Sequence, residues 1–372
     1  MTRLSRITLE GFRSIHSATL DFGSLNILIG ANGAGKSNFI AFLKLLPDGV
    51  SDKLQYYVQT RGPASALLHF GPKVTTTLRG AVEFETDAGR YGYQCTLTYA
   101  AGDTLVFTHE DARDYARGDA QPKVFPLGAG GHRESVLGMH WDDPTARAVK
   151  ELMKWLLGNC RVYQFNDTSL ESHLRQTPRA DENAYLWPNG GNLAAFLLRL
   201  SGDYPDAFRE IERTINLMLP WFGNFILEPQ GLAGKQTVPL RWRMTGRPDY
   251  DLSVGQLSDG SLRIMCLVTL LLQPEGLRPK LFVLDEPELG LHPAAESVIA
   301  GLLKSAATTS QVLISTQSAT FLDHFSPDDV VVVENEEGRS TFSRQSSKEL
   351  ASWLERYSLG QVWQKDVIGG RP

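Results

Sequence analysis

The stretch that most restricts this chain is Gly30-Ala31-Asn32-Gly33-Ala34-Gly35-Lys36-Ser37. It follows Leu25-Asn26-Ile27-Leu28-Ile29, apolar apart from Asn26, the pattern of a strand buried on both faces. It opens residues 36–46, which read as an apolar helix closed by Pro47 and Gly49. Glycines at this spacing let backbone N–H groups curl around a polyphosphate, and the helix N-terminus adds the positive end of its dipole. In such a loop Lys36 reaches the β and γ phosphates, and the Ser37 hydroxyl can ligate Mg²⁺.

A second element matches the first. Leu281-Phe282-Val283-Leu284-Asp285-Glu286-Pro287 is an apolar strand ending in two acids. A buried strand that brings a carboxylate to its tip is the usual partner of a phosphate loop. Asp285 is expected to hold Mg²⁺ through water, and Glu286 to orient or deprotonate an attacking water. Without the glycine loop upstream, the same acids would read as a solvated turn. Between the two lies Leu257-Ser258-Asp259-Gly260-Ser261. Ser258 can cap a helix over residues 262–272, making a second anion-binding end from its hydroxyl, the loop amides and the dipole. Standing alone, that motif is an ordinary N-cap.

The rest of the chain alternates. Residues 3–9 and 18–22 read as strands, and 75–86, 91–99 and 104–109 as an antiparallel meander. Residues 111–135 read as a surface loop. Helices are expected at 146–157, at 193–200 (capped by Asn192 and ended by Gly202) and at 206–219, with a short strand at 161–165. A helix at 294–304 is followed by strands at 312–315 and 330–333, and a short helix with Trp353 covers 351–357. Arg241 and Arg243 share a strand face near Arg247, which reads as a solvated face rather than a phosphate contact. Glu334, Glu336 and Glu337 read as a solvated turn.

At roughly 100–200 residues per domain, 372 residues suggest two domains or one with an insertion. The glycine loop and the acid pair must serve one site across a long separation, which favours the insertion. Hydrophobic residues at 42% exclude a disordered or collagen-like chain. A net charge of −5 offers no general basic field, so any contact with DNA must be local or supplied by a partner. Cys95, Cys160 and Cys266 are too scattered for a disulfide framework. The N-terminal residues lack a signal-peptide core, and the longest apolar run falls short of a membrane span. A cytoplasmic protein without membrane contact is expected.

These motifs resemble the ABC-type ATPases of the SMC, RecF and OLD group. The resemblance rests on Gly11-Phe12-Arg13-Ser14-Ile15, the glycine loop with Asn38, Leu257-Ser258-Asp259-Gly260, and Asp285-Glu286-Pro287-Glu288 followed by Leu289-Gly290-Leu291-His292-Pro293. More narrowly, Tyr163-Gln164-Phe165-Asn166-Asp167-Thr168-Ser169, Asn189-Gly190-Gly191-Asn192-Leu193-Ala194 and Gly369-Gly370-Arg371-Pro372 look like stand-alone bacterial ATPases related to OLD proteins.

The resemblance implies an α/β P-loop NTPase with an ABC-ATPase head, a mixed sheet flanked by helices, an antiparallel β arm and a helical insertion. The implied boundaries are 1–165, 166–240 and 241–372. It implies ATP and Mg²⁺ as cofactors. Gly30, Asn32, Gly33, Ala34, Gly35, Lys36, Ser37 and Asn38 would hold the nucleotide, with Arg13 nearby. Ser258, Asp259 and Gly260 would act in trans across a head-to-head homodimer, and His292 would face the partner or be a loop histidine without a role. Ser37, Asp285 and Gln164 would serve the metal, although Gln164 reads equally well as structural. Glu286, Lys36 and Gln317 would be catalytic, Gln317 standing where relatives carry a histidine, so that hydrolysis is expected to be slow.

An appended nuclease domain is not expected in the residues after 333, nor are long coiled-coil arms expected between the two motif-bearing lobes. The implied role is an ATP-switched dimer that acts on DNA or controls a separately encoded effector, such as a nuclease in anti-phage defence. A non-hydrolysing, ATP-gated scaffold that sequesters a toxin or nuclease is the second reading. A transporter subunit is disfavoured by the meander and the Gly-Phe-Arg-Ser-Ile start.

Overall fold

The computed structural model describes residues 2–115, 121–139, 142–169, 171–232 and 234–371. The chain divides into two compact units: Met1–Cys160 with Ser326–Pro372, and Arg161–Phe325.

The first unit begins with strands β1 (Arg3–Phe12), β2 (Ile15–Asp21) and β3 (Leu25–Ile29). Helices α1 (Lys36–Asp48), α2 (Leu54–Arg61) and α3 (Ala64–Leu67) follow, then β4 (Thr77–Glu85), β5 (Arg90–Ala100), β6 (Thr104–Tyr115), β7 (Lys123–Pro126) and α4 (Pro144–Asn159). The chain crosses to the second unit at β8 (Cys160–Tyr163). That unit continues with α5 (Leu193–Asp203), α6 (Pro205–Met218), β9 (Phe222–Ile226), β10 (Arg241–Met244), β11 (Arg247–Ser253), α7 (Asp259–Leu272), β12 (Leu281–Asp285), α8 (Pro293–Ala306), β13 (Gln311–Thr316) and α9 (Ala319–Leu322). Strands β14 (Val330–Glu336) and β15 (Arg339–Arg344), with helices α10 (Ala351–Leu354) and α11 (Leu359–Gln364), complete the first unit.

In the first unit six antiparallel strands lie in the order β2-β1-β4-β5-β6-β7. Along β1, Leu4, Ile7, Leu9 and Phe12 are buried while Ser5, Arg6, Thr8 and Glu10 are partly or fully exposed, the alternation of a half-covered antiparallel sheet. Helix α1 packs on β4 at Gly80, where a Cβ would stand 2.8 Å from Phe42 Cζ. Strand β3, buried along its whole length, pairs in parallel with β14 (Ile29 opposite Val332). Strand β14 turns through Glu337 and Gly338, both at positive φ, into β15.

The second unit carries the parallel pair β12 and β13, in register from Leu281 with Gln311 to Asp285 with Ser315. Strand β8 lies beside β12. Ten residues of α7 are buried, from Ser261 to Leu271, so this helix is core on nearly all sides.

Several expectations need correction. Residues 111–135 are not simply a surface loop: β6 runs on to Tyr115, β7 follows, and Leu127 is buried. The charged letters misled, because Asp111 is buried between His109 (2.7 Å) and Arg113 (2.6 Å), and Glu110 accepts from Tyr93 at 2.7 Å. Residues 116–120 lie outside the described residues. Asn192 precedes α5 but makes no side-chain cap; its amide instead ties Trp187, Glu182 and Tyr185. Helix α5 continues through Gly202 to Asp203. The region after α6 is not wholly helical, since β9 joins β10 and β11 in a three-stranded antiparallel sheet. Glu334 and Glu336 belong to β14 rather than to a turn.

Candidate functional site

The glycine loop leaves β3 and enters α1 as its letters require. Gly30, Gly33 and Gly35 all have positive φ (149°, 79° and 122°), which L side chains rarely adopt. At Gly30 a Cβ would lie 2.1 Å from the Val333 carbonyl oxygen, and at Gly35 it would lie 2.2 Å from Ser340 Oγ. Space as well as torsion therefore demands glycine at both positions. Lys36 is only 6% exposed and donates from Nζ to the carbonyl oxygens of Gly30 at 2.6 Å and Ala31 at 3.0 Å. Its ammonium thus lies across the mouth of the loop. Ser37 and Asn32 are exposed, and Ala34 is buried. A cleft of about 450 Å³ adjoins Asn32 and Gly33, bounded by Glu334, Glu336, Asp366 and Arg371.

A polar network braces the start of α1. Asn38 donates to Ser14 Oγ at 2.7 Å, and Ser340 Oγ donates to the same Ser14 oxygen at 2.7 Å. Arg13 sits at φ 50°, its guanidinium 3.5 Å from Asn38 Oδ1, and its carbonyl oxygen lies 2.7 Å from Nδ1 of buried His69. The Arg13 guanidinium, from the turn after β1, thus neighbours Asn38 in the first turn of α1.

In the second unit Asp285 ends β12, half-buried, and accepts a hydrogen bond from Ser315 Oγ. Its carbonyl oxygen lies 3.5 Å from Asn166 Nδ2. Glu286 follows at φ 50°, a strained left-handed turn for a non-glycine residue. The turn is fixed by its amide donating to the Ser315 carbonyl at 2.9 Å. Gln317 Nε2 donates to Glu286 Oε1. Glu288 is buried, accepts from Thr316 Oγ1, and leaves Oε2 buried without a partner among the described residues. Burial pushes its carboxyl up to about 7, the nearby Glu286 charge acting in the same direction and the Thr316 hydroxyl opposing it.

Ser258 is the N-cap of α7, its Oγ accepting from the Ser261 amide at 3.2 Å. Gly260 abuts the segment after the acids, where a Cβ would lie 2.7 Å from the Gly290 carbonyl oxygen. Ser258, Gly260, Gly290 and His292 line one hollow of about 400 Å³. His292 is exposed and caps α8 through Nδ1.

Two arginines that sequence reasoning missed hold these loops. Arg175, 9% exposed in its side chain, donates to the carbonyls of Val254 (2.9 Å) and Leu257 (3.3 Å) and to Asp259 Oδ1 (2.8 Å). Arg263 donates to the carbonyls of Phe165, Asn166 and Leu289. Nothing in the local sequence marks either as a loop clamp. Gln164 follows β8 with its side chain exposed, its amide donating to Pro188 at 2.9 Å. Arg241 and Arg243 both pair with Asp251, and Arg241 also with Glu228, while Arg247 is exposed.

Residues 6–122 match the family model described as an AAA domain. Residues 192–323 match the model described as an AAA domain, putative AbiEii toxin, Type IV TA system. The chain superposes on an Smc head solved with the C-winged helix domain of ScpA. The TM-score is 0.60 at 15% identity, covering 93% of this chain and 99% of that one. The fold is that of an ABC-type ATPase head. An Smc head with an extended coiled coil, bound to the C-terminal domain of ScpA derived from Pyrococcus furiosus, superposes on this head with TM-score 0.54 at 16% identity, covering 95% and 99%. In sequence the head is 39% identical over 105 residues to the DNA replication and repair protein RecF of Magnetococcus marinus. That match covers 28% of this chain and 24% of RecF. Among the described residues no helix of this head is long and apolar enough to cross a membrane.

Proposed function

We propose that the chain is an ATP-binding, ATP-hydrolysing head that closes as a head-to-head homodimer and thereby acts on DNA or controls a separate effector protein, such as a nuclease. The observation that carries the reading is the buried Lys36 ammonium laid across the Gly30 and Ala31 carbonyls at the start of α1. A cation so placed, with glycine amides and a helix N-terminus around it, suits a polyphosphate.

The residues fit both implied groups. Three positive-φ glycines shape the loop, and at Gly30 and Gly35 a Cβ would strike the Val333 carbonyl and the Ser340 side chain, so the backbone alone can form it. For the metal, the Ser37 hydroxyl and the Asp285 carboxylate are hard oxygen donors of the sort Mg²⁺ takes alongside substrate phosphates. When bound, Mg²⁺ would neutralise charge on the β and γ oxygens. Lys36 exchanges its loop carbonyls for the terminal phosphates. Glu286 holds the attacking water and accepts its proton, with Gln317 fixing one carboxylate oxygen. Ser258 and Gly260 offer an N-capped, dipole-bearing helix end for the triphosphate held by a second copy.

The partner class draws support from the RecF match and from the Smc heads solved with ScpA domains, and the toxin description of one matched model supports a protein effector. A head that binds ATP without hydrolysing it, as a scaffold, has Gln317 in its favour, because an amide cannot shuttle a proton.

The test is the mass of Glu286→Gln in solution with ATP and Mg²⁺. A dimer that forms with ATP and dissolves without it supports the proposal; a monomer throughout overturns the composite arrangement. Wild-type phosphate release at background, with dimerisation intact, selects the scaffold reading.

A further inference from the structure

Glu288 is a buried carboxyl of the second unit that the proposed chemistry leaves unused. Two turns meet on it. The first follows β12: the Leu289 amide donates to the Glu286 carbonyl at 3.2 Å and the Leu291 amide to the Glu288 carbonyl at 2.9 Å, so residues 286–291 fold back on themselves. The second follows β13: Thr316 Oγ1 accepts from the Ser318 amide at 3.0 Å, which turns the chain into α9. The Thr316 hydroxyl has one hydrogen to give, and it gives it to Glu288 Oε1. Between Thr316 and Ser318 lies Gln317, whose side chain donates to Glu286 Oε1. The loop is therefore closed: Glu286 to Glu288 along one turn, Glu288 to Thr316 across, Thr316 to Gln317 along the other, and Gln317 back to Glu286.

We propose that Glu288 is a positioning residue: through Thr316 it fixes the 316–318 turn from which Gln317 orients Glu286. An unpaired buried oxygen costs stability, and Glu288 Oε2 has no partner among the described residues. A hydrophobic residue at 288 would avoid that cost and lose the link. The link has two contacts of opposite consequence. Thr316 holds the turn, and Gln317 transmits its position to the carboxylate that faces the water.

This inference rests on the proposed role of Glu286, so the experiment separates the two. Nucleotide affinity is measured with a fluorescent ATP analogue, and turnover by phosphate release, for wild type, Thr316→Val, Thr316→Ser, Glu288→Gln and Glu288→Ala, with a thermal melt of each. The expected result for Thr316→Val is a kcat lowered about tenfold with affinity and KM within about twofold, as for loss of an interaction made in the transition state. Thr316→Ser restores kcat, because the hydroxyl returns. Glu288→Gln, which keeps an acceptor for Thr316, retains most of the rate, and Glu288→Ala matches Thr316→Val. Should Glu288→Ala fail to fold, the Thr316 pair carries the test. Wild-type kcat in Thr316→Val, or no rescue by serine, overturns the positioning role. A wild-type chain without ATP binding overturns the site reading instead.

Discussion

The Lys36 ammonium lies 2.6 Å from the carbonyl oxygen of Gly30, six residues back along the same loop. A buried cation that donates to two loop carbonyls is poised to exchange them for an anion, which would bring a stronger, charge-assisted bond. Lys36→Ala is expected to weaken binding of a fluorescent ATP analogue by at least about tenfold, with a thermal melt of the variant showing that it still folds.

Gly35 tests the cradle rather than the charge. Its φ of 122° and the 2.2 Å approach of a Cβ to Ser340 Oγ leave no room for a side chain. Gly35→Ala should cost roughly 1–3 kcal/mol of stability through strain alone, read by chemical denaturation, and should abolish nucleotide binding even in the folded fraction.

Glu288 makes stability depend on pH in a stated direction. Its carboxyl is raised from 4.5 to about 7 in the fold. Between those values the folded chain holds a proton that the unfolded chain has released, so this contribution is present below about 4.5 and is lost as pH rises through 7. Glu288→Gln removes the titration. Unfolding free energies at pH 5 and pH 8 should therefore fall more steeply in wild type than in the variant; equal slopes would refute the burial argument.

Arg175 clamps the loop before α7 by three backbone or carboxylate contacts. Arg175→Ala strips the carbonyl of buried Leu257 of its guanidinium donor and should destabilise the chain by about 1–3 kcal/mol. It should lower turnover without changing the affinity for one ATP per chain, since the glycine loop is untouched. Equilibrium binding beside phosphate release checks the split.

Much of this was legible because certain residues carry their reason with them. Gly30, Gly33 and Gly35 announce positive φ, the apolar runs of β3, β12 and β13 announce buried strands, and Ser258 announces a cap; the structure places each accordingly. What stayed hidden depends on distant partners. Asp111 and Glu110 read as surface residues because nothing local shows Arg113 and Tyr93 turned inward to meet them. Asn192 sits where a cap belongs, yet its side chain serves Trp187, Glu182 and Tyr185. Arg175 and Arg263 lie far in sequence from most of the carbonyls they hold. Strand β10 shows in the alternation of Arg241 and Arg243, whereas β9 and β11 carry no clean alternation, their buried Phe222, Phe225, Ile226 and Leu252 falling at irregular spacing.

The central claim, that the glycine loop and the acid pair serve ATP hydrolysis, is tested most directly by phosphate release from Mg²⁺-ATP in wild type and Glu286→Gln, with ATP affinity measured in parallel. The account predicts measurable wild-type turnover, a loss of about 100-fold or more in the variant, and unchanged affinity. Equal turnover in the two chains would contradict it.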